Sequence, residues 1–466
     1  MSSLDQSLHQ YPDLFCELYD ALDLDIVRES AEEWLNDAGL SSLAGAVAAD
    51  VENGLPVARV RMRLMNPPAG SGDEDQDGRA LQARRFAGLV GLDRAFAHVL
   101  TVRTTVERPP ASLRGLAAYV EVHGRLDSGR GGGALLPRLV RRGRQEGATS
   151  DPRELFANVI RVPEQSWERC EIVRLGEAVT FHRHEVAAGI VVGCVPVIAD
   201  PVEMVFRVRR TPDEARYLIA PADSPATLAR IPQIVDGLDA ANVQIAVAPE
   251  LTLTPALLRG WQDALRRPER SATRLRILLA GTGAMYPSDG RAQNVAILLD
   301  GRTGEILTRQ SKFYGFDFTE EEVARWNLEG HLGAGATTED LVPAKTLTVV
   351  DCGGLRIAIL ICEDLARLLD LAPLVRDLGI SHVLTPVFAR PIREHRWEQT
   401  AAQVHARETG TTIVVSNSLV MATIAPREGG TSLVLSPHRA EALIGESRDP
   451  SEPACFVLLG DGSAEL

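Results

Sequence analysis

The chain is poor in cysteine, and the cysteines it has follow no pattern. Cys16, Cys170, Cys194, Cys352, Cys362 and Cys455 are scattered over 466 residues with no Cys-x-x-Cys pair, which excludes a disulfide framework. Long apolar runs are missing too. The longest, residues 186–199, is interrupted by Gly and Pro and is too short to span a bilayer. Positive charge is in deficit: the formal net charge is −14, so a general nucleic-acid-binding role is disfavoured. No signal peptide and no internal repeat is recognisable. The expectation is a cytoplasmic protein with reduced thiols and neither nucleic acid nor membrane as a partner.

What is present divides into two unlike parts. At 466 residues the chain exceeds one small core and implies two or three domains. In the first part, Leu14, Phe15, Leu18, Leu22 and Ile26 recur at helical spacing. Residues 57–64 largely alternate and read as a half-exposed strand, and 97–106 and 116–122 read as strand-like runs after a helix near 81–92. Residues 66–78 are dense in turn formers and read as a linker or loop. The Gly- and Arg-rich stretch 125–144 reads as a solvated loop, with a site for an anionic partner as the alternative. Two histidines, His182 and His184, alternate on an expected strand. No third ligand stands nearby in sequence, so no metal site is assigned.

From about Val186 the pattern changes to alternating β and α segments. Strands are expected at 243–248, 276–280, 295–299, 347–350, 357–361, 382–385, 412–416 and 432–435. Helices are expected at 225–238, 255–265, 365–378 and 393–408. Such alternation implies a layered α/β domain, and strands joined only by turns imply mixed sheets. Three polar residues stand at or near strand ends. Glu250 ends one apolar strand, Lys312 ends a hairpin that begins at Asn294, and Cys362 follows the strand 357–361. Each has a plain structural alternative: Glu250 as a helix-start residue, Lys312 as a surface residue, Cys362 as a small core residue. A thiol at the carboxyl edge of a sheet, just before a helix, can also face a pocket with free N–H groups close by.

The ordered set Glu250, Lys312 and Cys362 resembles the signatures of the nitrilase, or carbon–nitrogen hydrolase, superfamily. Pro249-Glu250 after an apolar strand is similar to the first signature, Asn294 with the hairpin to Lys312 to the second, and Cys362-Glu363-Asp364 to the third. Downstream, Trp397, His405 to Gly410, the strand to Asn417, and Gly429-Gly-Thr-Ser432 keep the family's order. The resemblance covers roughly residues 186–460. It implies a four-layer α-β-β-α sandwich, here with an appended N-terminal α+β region over residues 1–185, and a hydrolase domain over 186–466. It also implies cleavage of a non-peptide carbon–nitrogen bond, in an amide more often than in a nitrile, through a cysteine thioester; no cofactor or metal is expected.

In that reading Cys362 is the nucleophile and Glu250 the general base. Lys312 lowers the thiol's pKa and stabilises the oxyanion together with the backbone N–H of Glu363. A second glutamate usually braces the lysine or positions the substrate, and by spacing Glu320 fits best, with Glu321 and Glu322 as neighbours. The Cys-Glu-Asp form is closer to the glutaminase domains of NAD synthetases than to the many members with an aromatic after the cysteine, yet no ATP-binding loop is recognisable after Leu435. The stretch between Lys312 and Cys362, through Trp326 and residues 333–338, is longer than usual and can reshape or cover the pocket. Members of the family commonly dimerise, so a homo-oligomer and a small-molecule amide substrate are the expected partners, with a protein partner for the N-terminal region. Two other function classes stay open: a catalytically silent scaffold, and a Cys–His thiol enzyme using His382 or His405.

Overall fold

The structure is a computed structural model and describes residues 10–65, 74–100, 108–129, 132–139, 155–210, 214–270, 272–285, 293–393, 396–424, 428–437, 439, 441–459 and 464–465. It divides into two compact units, Met1–Arg169 with Asp377–Gly379, and Cys170–Arg376 with Ile380–Leu466.

The first unit is built on helices α1 (Gln10–Asp20), α2 (Leu24–Asn36), α3 (Ala38–Glu52), α4 (Val57–Met65), α5 (Glu74–Leu100) and α6 (Arg114–His123). A small antiparallel sheet accompanies them, of strands β1 (Leu126–Asp127), β2 (Ala134–Pro137) and β3 (Val159–Val162). Its core holds Phe15, Trp34, Phe86, Phe96 and Phe156. Two of the expected strands are helices. In α4 the buried residues are Val60 and Leu64, and in α6 they are Leu116 and Val120. Both pairs are spaced i, i+4, so the alternation of short apolar runs concealed a helical period. Residues 97–100 end α5, and 101–106 lie outside the described residues, as do 66–73 of the expected linker. Within 125–144, β2 is fully buried rather than a solvated loop; residues 130–131 and 140–144 lie outside the described residues.

The second unit begins at Cys170, whereas the composition change had suggested Val186. Strand β4 (Cys170–Arg174) pairs in parallel with β14 (Leu347–Asp351), which ties it to the second unit's sheet. His182 and His184 are not on a strand: His182 caps the short helix Arg183–Ala188, and the two imidazoles stack with centroids 5.6 Å apart. Among the described residues no helix is long and apolar enough to cross a membrane.

Two seven-stranded mixed sheets form the body of this unit. In the first, β5 (Ile190–Cys194), β8 (Ile245–Val247) and β9 (Ile277–Met285) run parallel. Strands β10 (Gln293–Asp300), β11 (Ile306–Ser311) and β20 (Ala454–Leu458) join them antiparallel. In the second, β15 (Arg356–Ile359), β16 (His382–Val387) and β17 (Thr412–Asn417) are parallel. There β14, β18 (Ser432–Leu435) and β19 (Leu443–Gly445) add antiparallel pairings. A further four-stranded sheet contains β6 (Met204–Arg210), β7 (Ala215–Pro221), β12 (Asp317–Phe318) and β13 (Thr337–Glu339).

Helices cover the outer faces. In α7 (Pro225–Ala240) Ser224 caps the first turn, Pro225 sits at the first helical position, and Ile231, Ile234, Val235 and Leu238 make the apolar stripe. In α8 (Pro255–Leu265) Thr254 caps, and Leu257, Trp261, Ala264 and Leu265 are buried. Both stripes pack in one core with Ala246, Leu278, Ala280, Val295, Ile297 and Leu299, every second residue of the first sheet's strands. The alternate residues Ile245, Val247, Ile277, Leu279, Ala296 and Leu298 are buried on the other face. There the Ser416 hydroxyl of β17 donates to the Val247 carbonyl at 2.9 Å, so the two sheets lie face to face. The helix Trp397–Thr409 covers β17 and β18 from outside and ends at Gly410, which takes the left-handed conformation with φ of 66°. The layer order is α-β-β-α, as expected.

Candidate active site

The carboxyl ends of β8 and β15 and the end of the β10–β11 hairpin converge on one cavity of about 290 Å³, lined by Glu250, Lys312 and Cys362 among others. That size suits a small molecule. Lys312 is buried, and its ammonium lies 2.8 Å from Glu250 Oε1 and 2.7 Å from Glu339 Oε2. Asn294 Nδ2 donates to Glu250 Oε1 at 2.8 Å and to Glu339 Oε1 at 3.1 Å, and its Oδ1 accepts the Thr282 hydroxyl at 2.6 Å. The other oxygen of Glu250 accepts the Phe388 N–H at 3.1 Å. Each carboxylate is therefore held by more than one donor, which a buried charge requires.

Cys362 follows β15 and precedes the short helix α10 (Glu363–Ala366); it adopts φ 50° and ψ −104°. A positive φ in a non-glycine residue is strained and has to be held by its surroundings. Asp364 is part of that hold. Its fully buried carboxylate accepts the N–H of Ile361 at 3.1 Å, of Phe313 at 3.1 Å and of Tyr314 at 2.9 Å. It thereby ties the residue before the thiol to the two residues after Lys312. The Cys362 N–H bonds the Pro386 carbonyl at 3.0 Å. Leu251, next to Glu250, is a second strained residue, with φ of 58°. Its N–H is held by the Thr282 hydroxyl at 3.1 Å, while the Thr282 carbonyl accepts the N–H groups of Thr252 and Leu253, each at 2.9 Å. Strand β9 approaches this turn so closely that a Cβ on Gly283 would stand 1.8 Å from the Leu253 carbonyl oxygen.

The protonation states follow from burial and charge. Burial alone would neutralise Lys312, but Glu250 and Glu339 outweigh it and raise its pKa well above the ordinary value. The same burial raises Glu250, against the opposing pull of Lys312. For Cys362, burial first and the Glu250 charge second push the thiol well above its ordinary pKa despite the nearby ammonium. Lys312 does pull the thiol's pKa down, as expected, but burial and the Glu250 charge outweigh it, so in the resting site the thiol keeps its proton.

The structure brings together Glu250, Lys312, Cys362 and Glu363, all of which line the cavity. It does not bring Glu320 there. Glu320 is exposed in the first turn of the helix α9 (Glu320–Arg325), and the second carboxylate on the lysine is Glu339. Spacing along the chain misled because β13 returns beside β7 in parallel and carries Glu339 inward. The only sequence signal for it was an acid ending a short Thr-Thr-Glu run. The long stretch after Lys312 does shape the cavity, supplying Phe316, Phe318, Glu322 and Trp326. His382 and His405 do not line it; they bond Ser381 Oγ at 2.9 Å and the Leu365 carbonyl at 3.0 Å. Among the described residues no group of three or more His, Cys, Asp or Glu could hold a metal ion.

No family model and no curated protein matches the chain. Among solved structures, one similar to it is Saccharomyces cerevisiae Nit3, a member of branch 10 of the nitrilase superfamily. It is 15% identical over 59% of this chain and 91% of that one, with a TM-score of 0.41. The glutamine-dependent NAD+ synthetase from Acinetobacter baumannii is 15% identical over 58% of this chain and 45% of that one, with a TM-score of 0.39. An amidase from Nesterenkonia sp. is 18% identical over 57% of this chain and 89% of that one, with a TM-score of 0.37.

Proposed function

We propose that this protein is a carbon–nitrogen hydrolase of the nitrilase type, cleaving an amide through a thioester on Cys362. The observation that carries the reading is the buried Lys312, shared by Glu250 and Glu339, on the same cavity as a strained cysteine. A structural ion pair has no need of a thiol, a cavity or a strained backbone beside it.

The chemistry runs in two halves. As the Cys362 sulfur attacks the amide carbon, its proton passes to Glu250 and a sulfur–carbon bond forms. The oxygen, now negative, is held by the Lys312 ammonium and by the N–H of Glu363, whose place at the start of α10 leaves it without an intrahelical acceptor. Glu250 then hands its proton to the nitrogen, the carbon–nitrogen bond breaks, and ammonia or an amine leaves. In the second half Glu250 takes a proton from water, the hydroxide attacks the thioester, and the sulfur–carbon bond breaks. The sulfur recovers the proton, and a carboxylic acid departs. No cofactor enters this sequence.

A thiol-directed activity probe, read by peptide mass spectrometry, tests the reading. Labelling at Cys362 is expected in the native protein and is expected to vanish in Cys362→Ala and to fall sharply in Lys312→Ala and Glu250→Gln. Labelling that persists in both of the latter variants would sink the triad.

A further inference from the structure

The walls and rim of the cavity differ in character. Phe316, Phe318 and Trp326 form one wall as a single aromatic cluster. Phe316 and Phe318 meet edge-on at 4.8 Å between centroids, and Phe318 meets Trp326 edge-on at 5.4 Å. Trp397, Leu218 and Leu341 extend the apolar surface. The half-buried lining residues that carry charge are all acidic: Glu322, Asp340 and Glu363.

Among the described residues, the one cation lining the cavity is Lys312, and both of its close partners are already carboxylates. Arg209 and Arg216 approach Asp340 at 3.4 and 3.6 Å, and Arg367 approaches Glu363 at 2.8 Å, yet none of these arginines lines the cavity. Arg390 stacks over the Trp326 ring at 5.2 Å and does not line it either. A substrate carboxylate would therefore enter past acids and find, among the described lining residues, no further cation to replace its lost water, a cost that burial makes severe. An apolar chain would bury against the aromatic wall instead.

We infer that the substrate, given the hydrolase reading above on which this rests, is an amide whose acyl group is apolar and bears no carboxylate. Monoamides of dicarboxylic acids, and glutamine-like amides with them, are rejected at the binding step. Discrimination lies in the acidic rim and in the lack of a second cation among the described lining residues, not in the thiol.

The test compares hexanamide with adipamic acid, which has the same chain length and ends in a carboxylate, using the full-length protein. Two readouts are taken: the rate of Cys362 acylation by mass spectrometry, and calorimetric binding to the Cys362→Ala variant. Hexanamide is expected to lead by at least about tenfold in both, the size of effect that one uncompensated charge near like charges produces. In Leu341→Arg, which puts a cation on the wall, the ratio should shift toward adipamic acid. Circular dichroism and melting temperature check that this variant folds. Equal or better acylation of the native protein by adipamic acid, with equal or better binding of it to Cys362→Ala, would overturn the inference while leaving the hydrolase reading intact. Acylation by neither amide, with neither bound, would overturn both.

Discussion

Buried carboxylates are handled in two ways in this molecule, and the contrast separates architecture from chemistry. In the first unit, Asp93 is buried and accepts the backbone N–H groups of Ala157, Asn158 and Val159 at 2.9, 2.9 and 3.0 Å. The Asn158 side-chain amide adds a further bond at 3.1 Å. All of those donors belong to the turn 157–159, and Arg138 contributes only a long-range pull on the carboxyl. In the second unit, Glu250 and Glu339 share one ammonium and one amide side chain at the edge of a cavity, with a thiol as the next neighbour. A carboxylate saturated by backbone N–H groups is fixed in charge and place. One that shares mobile protons with a lysine and a thiol can change state during a reaction.

The largest expected effect breaks the second arrangement. Lys312→Ala leaves two carboxylates buried without their counter-ion and should lower stability by about 3–5 kcal/mol in denaturant unfolding. It should also lower amide hydrolysis by at least about 100-fold through loss of the oxyanion partner. Next comes the pair of glutamates that sequence spacing and structure assign differently. Glu339→Gln should reduce kcat by roughly tenfold or more, since Lys312 then loses one of its two anionic supports. Glu320→Gln, on the exposed first turn of α9, should leave kcat unchanged and stability within about 0.5 kcal/mol. If Glu320→Gln were the more damaging of the two, Glu339 would not be the brace.

Asp93→Asn sharpens the contrast from the other side. An amide cannot accept all of those backbone N–H groups, so unfolding should cost about 1–3 kcal/mol less. Acylation of Cys362 should stay at the native rate once the protein is folded.

The smallest effect concerns pH. Burial lowers the pKa values of His382 and His405 to about 4, so both stay neutral in the fold while the unfolded chain protonates them near 6.5. Their share of stability is present above 6.5 and is lost as pH falls toward 4. Burial raises Asp364 and Glu398 to about 7, from ordinary values of 3.8 and 4.5. For these two the fold holds protons that the unfolded chain has released, so their share grows as pH falls through the same window. The opposed slopes should leave the native melting temperature nearly flat there. His405→Gln, which can still donate to the Leu365 carbonyl, removes one destabilising slope. Its melting temperature relative to the native protein should climb as pH falls from 6.5 to 4.

Much of the second unit was legible because its strands are long apolar runs bounded by turn formers, and its helices carry capping residues with Pro at the start, as in Ser224-Pro225 and Thr254-Pro255. Glu250, Lys312 and Cys362 stood out because each ends such an element. The first unit was less legible: runs such as Val57–Met65 fit both a twofold and a helical period, and only packing of Val60 and Leu64 decides between them. Glu339 and the Gly281-Thr282-Gly283 contact with the Glu250 turn were hidden for a different reason. Both depend on strand pairing between segments distant in sequence, and nothing local marks which acid or which glycine will be used.

The most direct test of the account is a rapid acid quench of the native protein with hexanamide, followed by mass spectrometry of the peptide that contains Cys362. A hydroxylamine-sensitive acyl group on Cys362, absent in Lys312→Ala, is the predicted result. Turnover of the amide with no adduct on Cys362, or with the acyl group on another residue, would contradict it.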